Sequence, residues 1–285
     1  MAVAAQPQPR PVAHPTYPGI SVGMMGMYIF LTSEVMFFGS LFAMYFYIVG
    51  SHEASGTFQW PPPGTDAVKW WPLPMINTFV LFCSGVTCHF ALESLRHAGR
   101  RHLYGSILLV FFVIAMLVSG IVALAGTQLG TPLGLGSAES LFDPILAFAG
   151  FVVALLCIPA MFGVAGFVRG RMQFFTLWIG TILLGAGFEA GQAYEFINQW
   201  PKLHWSGLNQ FGNAFYTMTG FHGGHVAGGL ILLLLILYRA GRGQFSPQHH
   251  VGPAAVTLYW HFVDVVWIFL FGILYLAVTA GQPVG

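Results

Sequence analysis

Seven stretches of nearly unbroken apolar residues run along the chain, near 20–49, 74–97, 103–126, 144–168, 172–197, 212–238 and 254–279. About 20 such residues cross a bilayer as a helix. The pattern therefore predicts an all-α integral membrane protein, a bundle of seven transmembrane helices forming one domain over 20–285. Most connections are short, so sequential helices are expected to pack as antiparallel neighbours. The longest loop, 50–73, carries Pro61-Pro62-Pro63 and the tryptophans Trp60, Trp70 and Trp71, as suits a headgroup-level belt. Residues 1–19 read as a Pro- and Ala-rich tail, ordered on docking, with Arg10 its one charge. No compact apolar run with a small-residue cleavage site follows, so no removable signal peptide is expected.

The polar residues inside these apolar runs carry the chemistry. Tyr259–Trp267 reads YWHFVDVVW. It sets His261 and Asp264 on one helical face, and Trp260, Asp264 and Trp267 at i, i+4 and i+7. An ionisable pair at membrane depth is costly unless turned inward and partnered. Glu34 lies near the middle of the first run and is too short to reach the interface. It is either a buried, hydrogen-bonded carboxyl group or a proton-handling site. In the second run, Asn77 suits an interhelical hydrogen bond, and Glu93 and Arg96 suit a surface pair of small value. His89 there reads most simply as a packed, satisfied histidine, with a functional role as the alternative. The runs 103–126 and 144–168 hold almost nothing ionisable, and Pro159 is expected to kink the second of them.

Glu189, Gln192 and Glu195 recur every three residues and so share a face. Glu195 is expected near the outer interface, charged and wetted, with Glu189 and Gln192 deeper and needing internal partners. The spacings Gly187/Gly191 and Gly224/Gly228 predict close helix approach. In Thr219–Gly229, TGFHGGHVAGG, His222 and His225 share a face. Counted from segment midpoints, His225 and Asp264 fall at one depth on adjacent helices. A hydrogen-bonded contact between the His222/His225 pair and the His261/Asp264 pair is therefore expected. Imidazoles and carboxylates together raise zinc, iron, copper or haem as candidates. However, His222 and His225 sit on one helix rather than facing each other, and no metal is expected.

Composition sharpens the class. The chain is 56% hydrophobic and 7% charged, with mean hydropathy +0.73, against about 25% charged residues in soluble domains. A net charge of +1 argues against a nucleic-acid partner. The 36 glycines show no triplet period and suit close helix packing. Cys83, Cys88 and Cys157 form no CxxC pair and read as packed thiols. With seven spans, Arg10, Arg96, Arg100, Arg101, Arg169, Arg171, Arg239 and Arg242 fall on the N-terminal side, and only Lys69 and Lys202 on the other. The positive-inside bias then places the N-terminus in the cytoplasm.

Four runs in order carry a family resemblance: SEVMFF at Ser33–Phe38, the stretch from Asn77 to Val86, GFHGGHVAGG at Gly220–Gly229, and YWHFVDVVW. Gln192–Glu195 and the linker Arg239–Gly252 with His249-His250 agree. The chain resembles cytochrome c oxidase subunit 3, of the haem–copper terminal oxidases, over about 20–98 and 169–280. It departs in two ways: the two N-terminal helices of the family's long form are missing, and 103–168 reads as an inserted, family-atypical pair.

The resemblance implies an accessory subunit of a proton-pumping oxidase in aerobic respiration, with no catalytic residue, metal or cofactor of its own. Haem and copper would reside in partner subunits. It implies direct contact with subunit I, assembly with subunit II and further oxidase subunits, and bound phospholipid. The location implied is the bacterial cytoplasmic membrane or an equivalent energy-transducing membrane. Glu34 matches the family's mid-membrane, carbodiimide-reactive glutamate. Arg239, with His249 and His250, matches a lipid-phosphate site, where a guanidinium fits bidentately. Glu189, Gln192, Glu195, His222, His225, His261 and Asp264 match an internal polar cluster. Alternatives are a related subunit of a quinol oxidase or nitric oxide reductase, a stand-alone proton-conducting transporter, or a histidine-ligated membrane cytochrome. The transporter reading would favour internal repeats, and the sequence shows no convincing one.

Overall fold

In a computed structural model of the chain, the residues described are 21–54, 60–62, 65, 68, 73–96, 171–203 and 209–278. These residues form helices and connections and no strand. The helices are α1 (Val22–Ala54), α2 (Leu73–Arg96), α3 (Arg171–Leu203), α4 (Gln210–Gly241) and α5 (Val251–Phe271), the last continued by a π-helical turn, Gly272–Ala277. All five are long and apolar enough to cross a membrane. They match five of the seven expected spans to within a few residues at most ends. The expected spans 103–126 and 144–168, and the tail 1–19, lie outside the described residues.

Helices suit this composition because every backbone group is satisfied within the segment, as an apolar solvent demands. Hydroxyl groups follow the same logic by bonding back to their own helix. Thr32 donates to the Tyr28 carbonyl at 2.8 Å, Thr78 to that of Pro74 at 2.8 Å, and Ser94 to that of Ala91 at 2.7 Å. Asn209 caps α4, its Oδ1 accepting from the Gly212 N–H at 2.8 Å. The far end of α4 is closed from another helix: Arg171, at the start of α3, donates to the carbonyl oxygens of Ala240 and Gly241 at 2.7 and 3.4 Å. A cation there also complements the helix dipole. Gly243 then turns the chain out with φ of 75°.

The core is aromatic and lies among α2, α3, α4 and α5, while α1 packs along α5 and touches α4 over a shorter stretch. Trp178, Trp260 and Trp267 are fully buried, and each places its N–H on a helix other than its own. Trp178 donates to the Leu233 carbonyl at 2.9 Å, Trp260 to Ser84 Oγ at 2.9 Å and Trp267 to Thr78 Oγ1 at 3.0 Å. A buried indole N–H needs such a partner, so the Trp260 and Trp267 bonds fix the register of α5 on α2, and the Trp178 bond ties α3 to α4.

Small residues make room for the indoles. A Cβ at Gly185 would lie 2.7 Å from Trp260 Cζ2, and one at Gly229 would lie 2.7 Å from Trp260 Cζ3. The expected pairs Gly187/Gly191 and Gly224/Gly228 are only partly used. Gly191 lies against the Asn77 amide, and Gly228 meets the Tyr259 hydroxyl at ordinary contact distance. Gly187 and Gly224 face open space. Gly185 and Gly229 are the glycines that seat Trp260, and which side of a helix meets a large ring is not encoded in glycine spacing.

Candidate functional site

Polar groups at membrane depth gather into three places. The first joins α1 to α4. Glu34 Oε2 lies 3.0 Å from His225 Nε2, and His225 Nδ1 lies 2.7 Å from the carbonyl oxygen of Phe221. A carbonyl oxygen only accepts, so Nδ1 carries a proton. One further proton lies between Nε2 and Oε2, on the imidazole as an ion pair or on the carboxyl group as a neutral pair. Either way the pair is neutral overall, which lowers its cost in a low-dielectric setting. The side chains are 19% and 17% exposed. Phe38 sets its ring edge-on to His225 at 5.0 Å, Phe37 lies 6.2 Å away, and Tyr259 donates to the His225 carbonyl at 2.8 Å.

The second place lies between α5 and α2. Asp264 is buried with Oδ2 directed at Gly85, and His261 Nδ1 is 3.6 Å from that oxygen. The His89 ring lies 6.0 Å from that of His261. His89 is exposed, with its ring against Phe90 and His261. The contact expected between the His222/His225 pair and the His261/Asp264 pair is not made. The depth match holds: Gly229 against Trp260 and His222 stacked on Trp267 set His225 level with Asp264. The faces differ. Asp264 lies in the stripe with Trp260 and Trp267, which Ser84 and Thr78 hold against α2, while His225 turns towards α1.

The third place lies around Trp267 and Tyr275. Glu195 is 3% exposed, and its Oε2 accepts from the Tyr275 hydroxyl at 3.0 Å. The expectation of a wetted, interfacial Glu195 is thus corrected. The π-helical turn after α5 brings Tyr275 over it, something no hydropathy profile records. Gln192 is buried one turn away. His222 is fully buried, stacked on Trp267 at 5.0 Å and 29°. Glu189 lies beside Gly223, half-buried. The internal polar residues grouped from sequence therefore divide among separate places rather than forming one cluster.

At the end of the bundle where Arg171 caps α4, Arg239 donates from Nε to Gln244 Oε1 at 2.7 Å and lies over Phe245 at 5.3 Å. Arg242 lies over Tyr238 at 4.8 Å. His249 is exposed, while His250 is half-buried at the N-cap of α5. Arg96 ends α2, at the end where α3 begins. Sequence reasoning gave no site role to Arg171, Tyr259 or Tyr275. A hydroxyl-bearing ring inside a nearly pure apolar run was the available signal for the two tyrosines; nothing local marks Arg171 as a cap. Among the described residues no group of three or more His, Cys, Asp or Glu side chains is arranged to hold a metal ion.

The family described as cytochrome c oxidase subunit III matches residues 14–128 and 131–278. The chain belongs to the cytochrome c oxidase subunit III family. Cytochrome c oxidase subunit 3 of Thermostichus vulcanus is 32% identical over 254 residues, covering 89% of this chain and 86% of that protein. A probable cytochrome c oxidase subunit 3 of Mycobacterium bovis is 29% identical over 251 residues, covering 88% and 86%. The subunit 3 of Drosophila yakuba is 30% identical over 257 residues, covering 90% and 70%. The family match includes 103–128 and 131–168, the stretch set apart above as an insertion. Within the family frame, SEVMFF lies on α1, GFHGGHVAGG on α4 and YWHFVDVVW on α5.

Proposed function

We propose that this chain is an accessory subunit of a proton-pumping haem–copper oxidase, holding no redox centre and bracing the catalytic subunit in the membrane. The observation that carries this reading is how the polar side chains at membrane depth are used. Glu34 bonds to His225, Tyr275 to Glu195 and Tyr259 to the His225 carbonyl, each across helices. Groups used in this way hold a bundle together. In this reading Glu34 and His225 share one proton at the α1–α4 contact, and Glu34 acts as a buried carboxyl group able to take part in local proton movement.

Further readings belong with this one. Arg239, Arg242, His249 and His250 stand at one end of the bundle, as a lipid-phosphate site requires, and phospholipid is the proposed ligand there. Arg96 and Arg171 share that end, which supports a cytoplasmic N-terminal side. Because α2 leaves and α3 begins there, two spans within 103–168 would close a seven-helix bundle. Subunit I is the proposed direct neighbour, with subunit II and other oxidase subunits beyond it. The membrane is a bacterial cytoplasmic or equivalent energy-transducing one. The donor, cytochrome c or quinol, would be oxidised at other subunits.

Purification of a tagged chain in mild detergent, with mass spectrometry of every co-purifying subunit, tests the proposal. Recovery with a multi-histidine haem–copper subunit is the expected result, and the remaining partners then identify the donor class. Recovery of the chain alone as a stable homo-oligomer would overturn the accessory role and turn attention to transport by the buried carboxyl groups.

A further inference from the structure

One layer of the bundle holds more polar capacity than its protein partners use. Trp267 marks its level, with its N–H on Thr78 of α2 and its face against His222 of α4. Phe188 of α3 packs edge-on to both rings, 4.8 Å from Trp267 and 6.0 Å from His222. Asn77 is the residue before Thr78, and its amide lies against Gly191, next to Gln192. Glu195 follows one turn on, held by Tyr275, whose ring is 6.2 Å from that of Trp267.

Within this layer six buried atoms, Asn77 Nδ2, Gln192 Nε2 and Oε1, both ring nitrogens of His222 and Glu195 Oε1, have no hydrogen-bond partner among the described residues. The adjacent aromatic surfaces cannot supply one, because the Trp267 N–H is already given to Thr78. Buried polar groups in folded proteins are almost always satisfied, by protein or by ordered water. The groups here require both kinds of partner. An amide N–H donates, a carboxyl oxygen accepts, and an imidazole does one at each nitrogen. Water does both, whereas a cation would serve only the acceptors.

We propose that the α2–α3–α4–α5 interior around Trp267 is a built site for a small cluster of ordered water molecules. These bridge His222 to the Asn77–Gln192–Glu195 side and tie the four helices together at one level. Water bound on two to four polar partners is a structural component and is costly to remove. His222, whose ring nitrogens have no partner among the described residues, then hydrogen-bonds to water while its face packs on Trp267. The inference stands apart from the accessory role, because it concerns groups within this chain and is read in whatever assembly the chain purifies with.

The test uses the purified complex as wild type and as His222→Phe, which keeps an aromatic face for Trp267 and removes both nitrogens. A cryo-electron microscopy map that resolves ordered water should show density within hydrogen-bond distance of a His222 nitrogen and of Asn77 Nδ2. Radiolytic hydroxyl-radical footprinting should label Trp267 and Tyr275 despite their burial, and the labelling of Trp267 should fall severalfold in His222→Phe. Well-ordered side chains with no density between them would overturn the proposal, as would direct pairing of Asn77 or His222 with another protein group, or unlabelled Trp267 and Tyr275. If the variant fails to assemble, the wild-type map and footprint decide the question alone.

Discussion

Replacing Glu34 by leucine should loosen α1 from α4. His225 Nδ1 is committed to the Phe221 carbonyl, so Glu34 is the partner of Nε2. Leucine leaves that nitrogen without one. An unsatisfied buried group costs about 1–3 kcal/mol, whereas hydrogen bonds between transmembrane helices average about 0.6 kcal/mol, with a maximum near 1.7. The pair is partly exposed, at 17% and 19%, so a loss of about 1–2 kcal/mol is expected, a factor of roughly 5–30 in an equilibrium. That matters for α1 because its other links to α4 are few, chiefly Phe37 on Phe221 at 5.0 Å and Phe38 on His225. Glutamine should cost a small fraction as much, since its amide can donate to an unprotonated Nε2. The assay is retention of the chain in the purified complex through a detergent and temperature series, quantified against a subunit of the core. Glu34→Leu with His225→Leu should be less damaging than the two single changes summed, because each removes the other's orphan. Leucine retained like wild type would refute the reasoning. Glutamine as harmful as leucine would refute the shared-proton account and require a charged pair.

Other expectations follow from the packing. Gly229→Val drives a branched side chain into Trp260 and should cost at least about 1–3 kcal/mol, seen as lost assembly, while Gly224→Ala, with nothing within 4 Å of the new atom, should assemble normally. Ser84→Ala leaves the fully buried Trp260 N–H without its acceptor. A loss of about 1–3 kcal/mol is expected, measurable as a lower unfolding temperature of the purified complex. Asp264→Leu should disturb the α2–α5 contact at Gly85 more than Asp264→Asn does, because leucine adds branched bulk there; equal retention of both variants in the complex would show that this contact is not structural. Arg171→Leu removes the cross-helix cap of α4 at a partly exposed site. A loss of no more than about 1 kcal/mol is expected, with faster proteolysis in 242–250 as the readout.

How far the sequence reaches is clearest at α5. The i, i+4, i+7 relation of Trp260, Asp264 and Trp267 was readable because helical geometry fixes which residues share a face. All three do face one way. The sequence could not say which neighbour that face meets. The histidine pair on the adjacent helix, at the right depth, looked like the partner for Asp264, and α2 proved to be. Depth depends on position along the chain, whereas facing depends on the rotation of each helix. That rotation is set by which large rings find a glycine surface, Trp260 on Gly185 and Gly229. Glu34 illustrates the same division. Its enclosure at membrane depth followed from one residue in one apolar run, but its pairing with His225, 191 residues away, required α1 to lie on α4.

The helical spans, the excess of basic residues at one bundle end and the family motifs are local properties, and the sequence by itself determined them. Apolar runs leave the backbone no alternative to helix in lipid. The partners of the buried polar groups were decided only by the tertiary structure, and so was the burial of Glu195 beneath Tyr275. Hydrogen bonds between helices depend on rotation, register and a π-helical turn that arise from packing several helices at once.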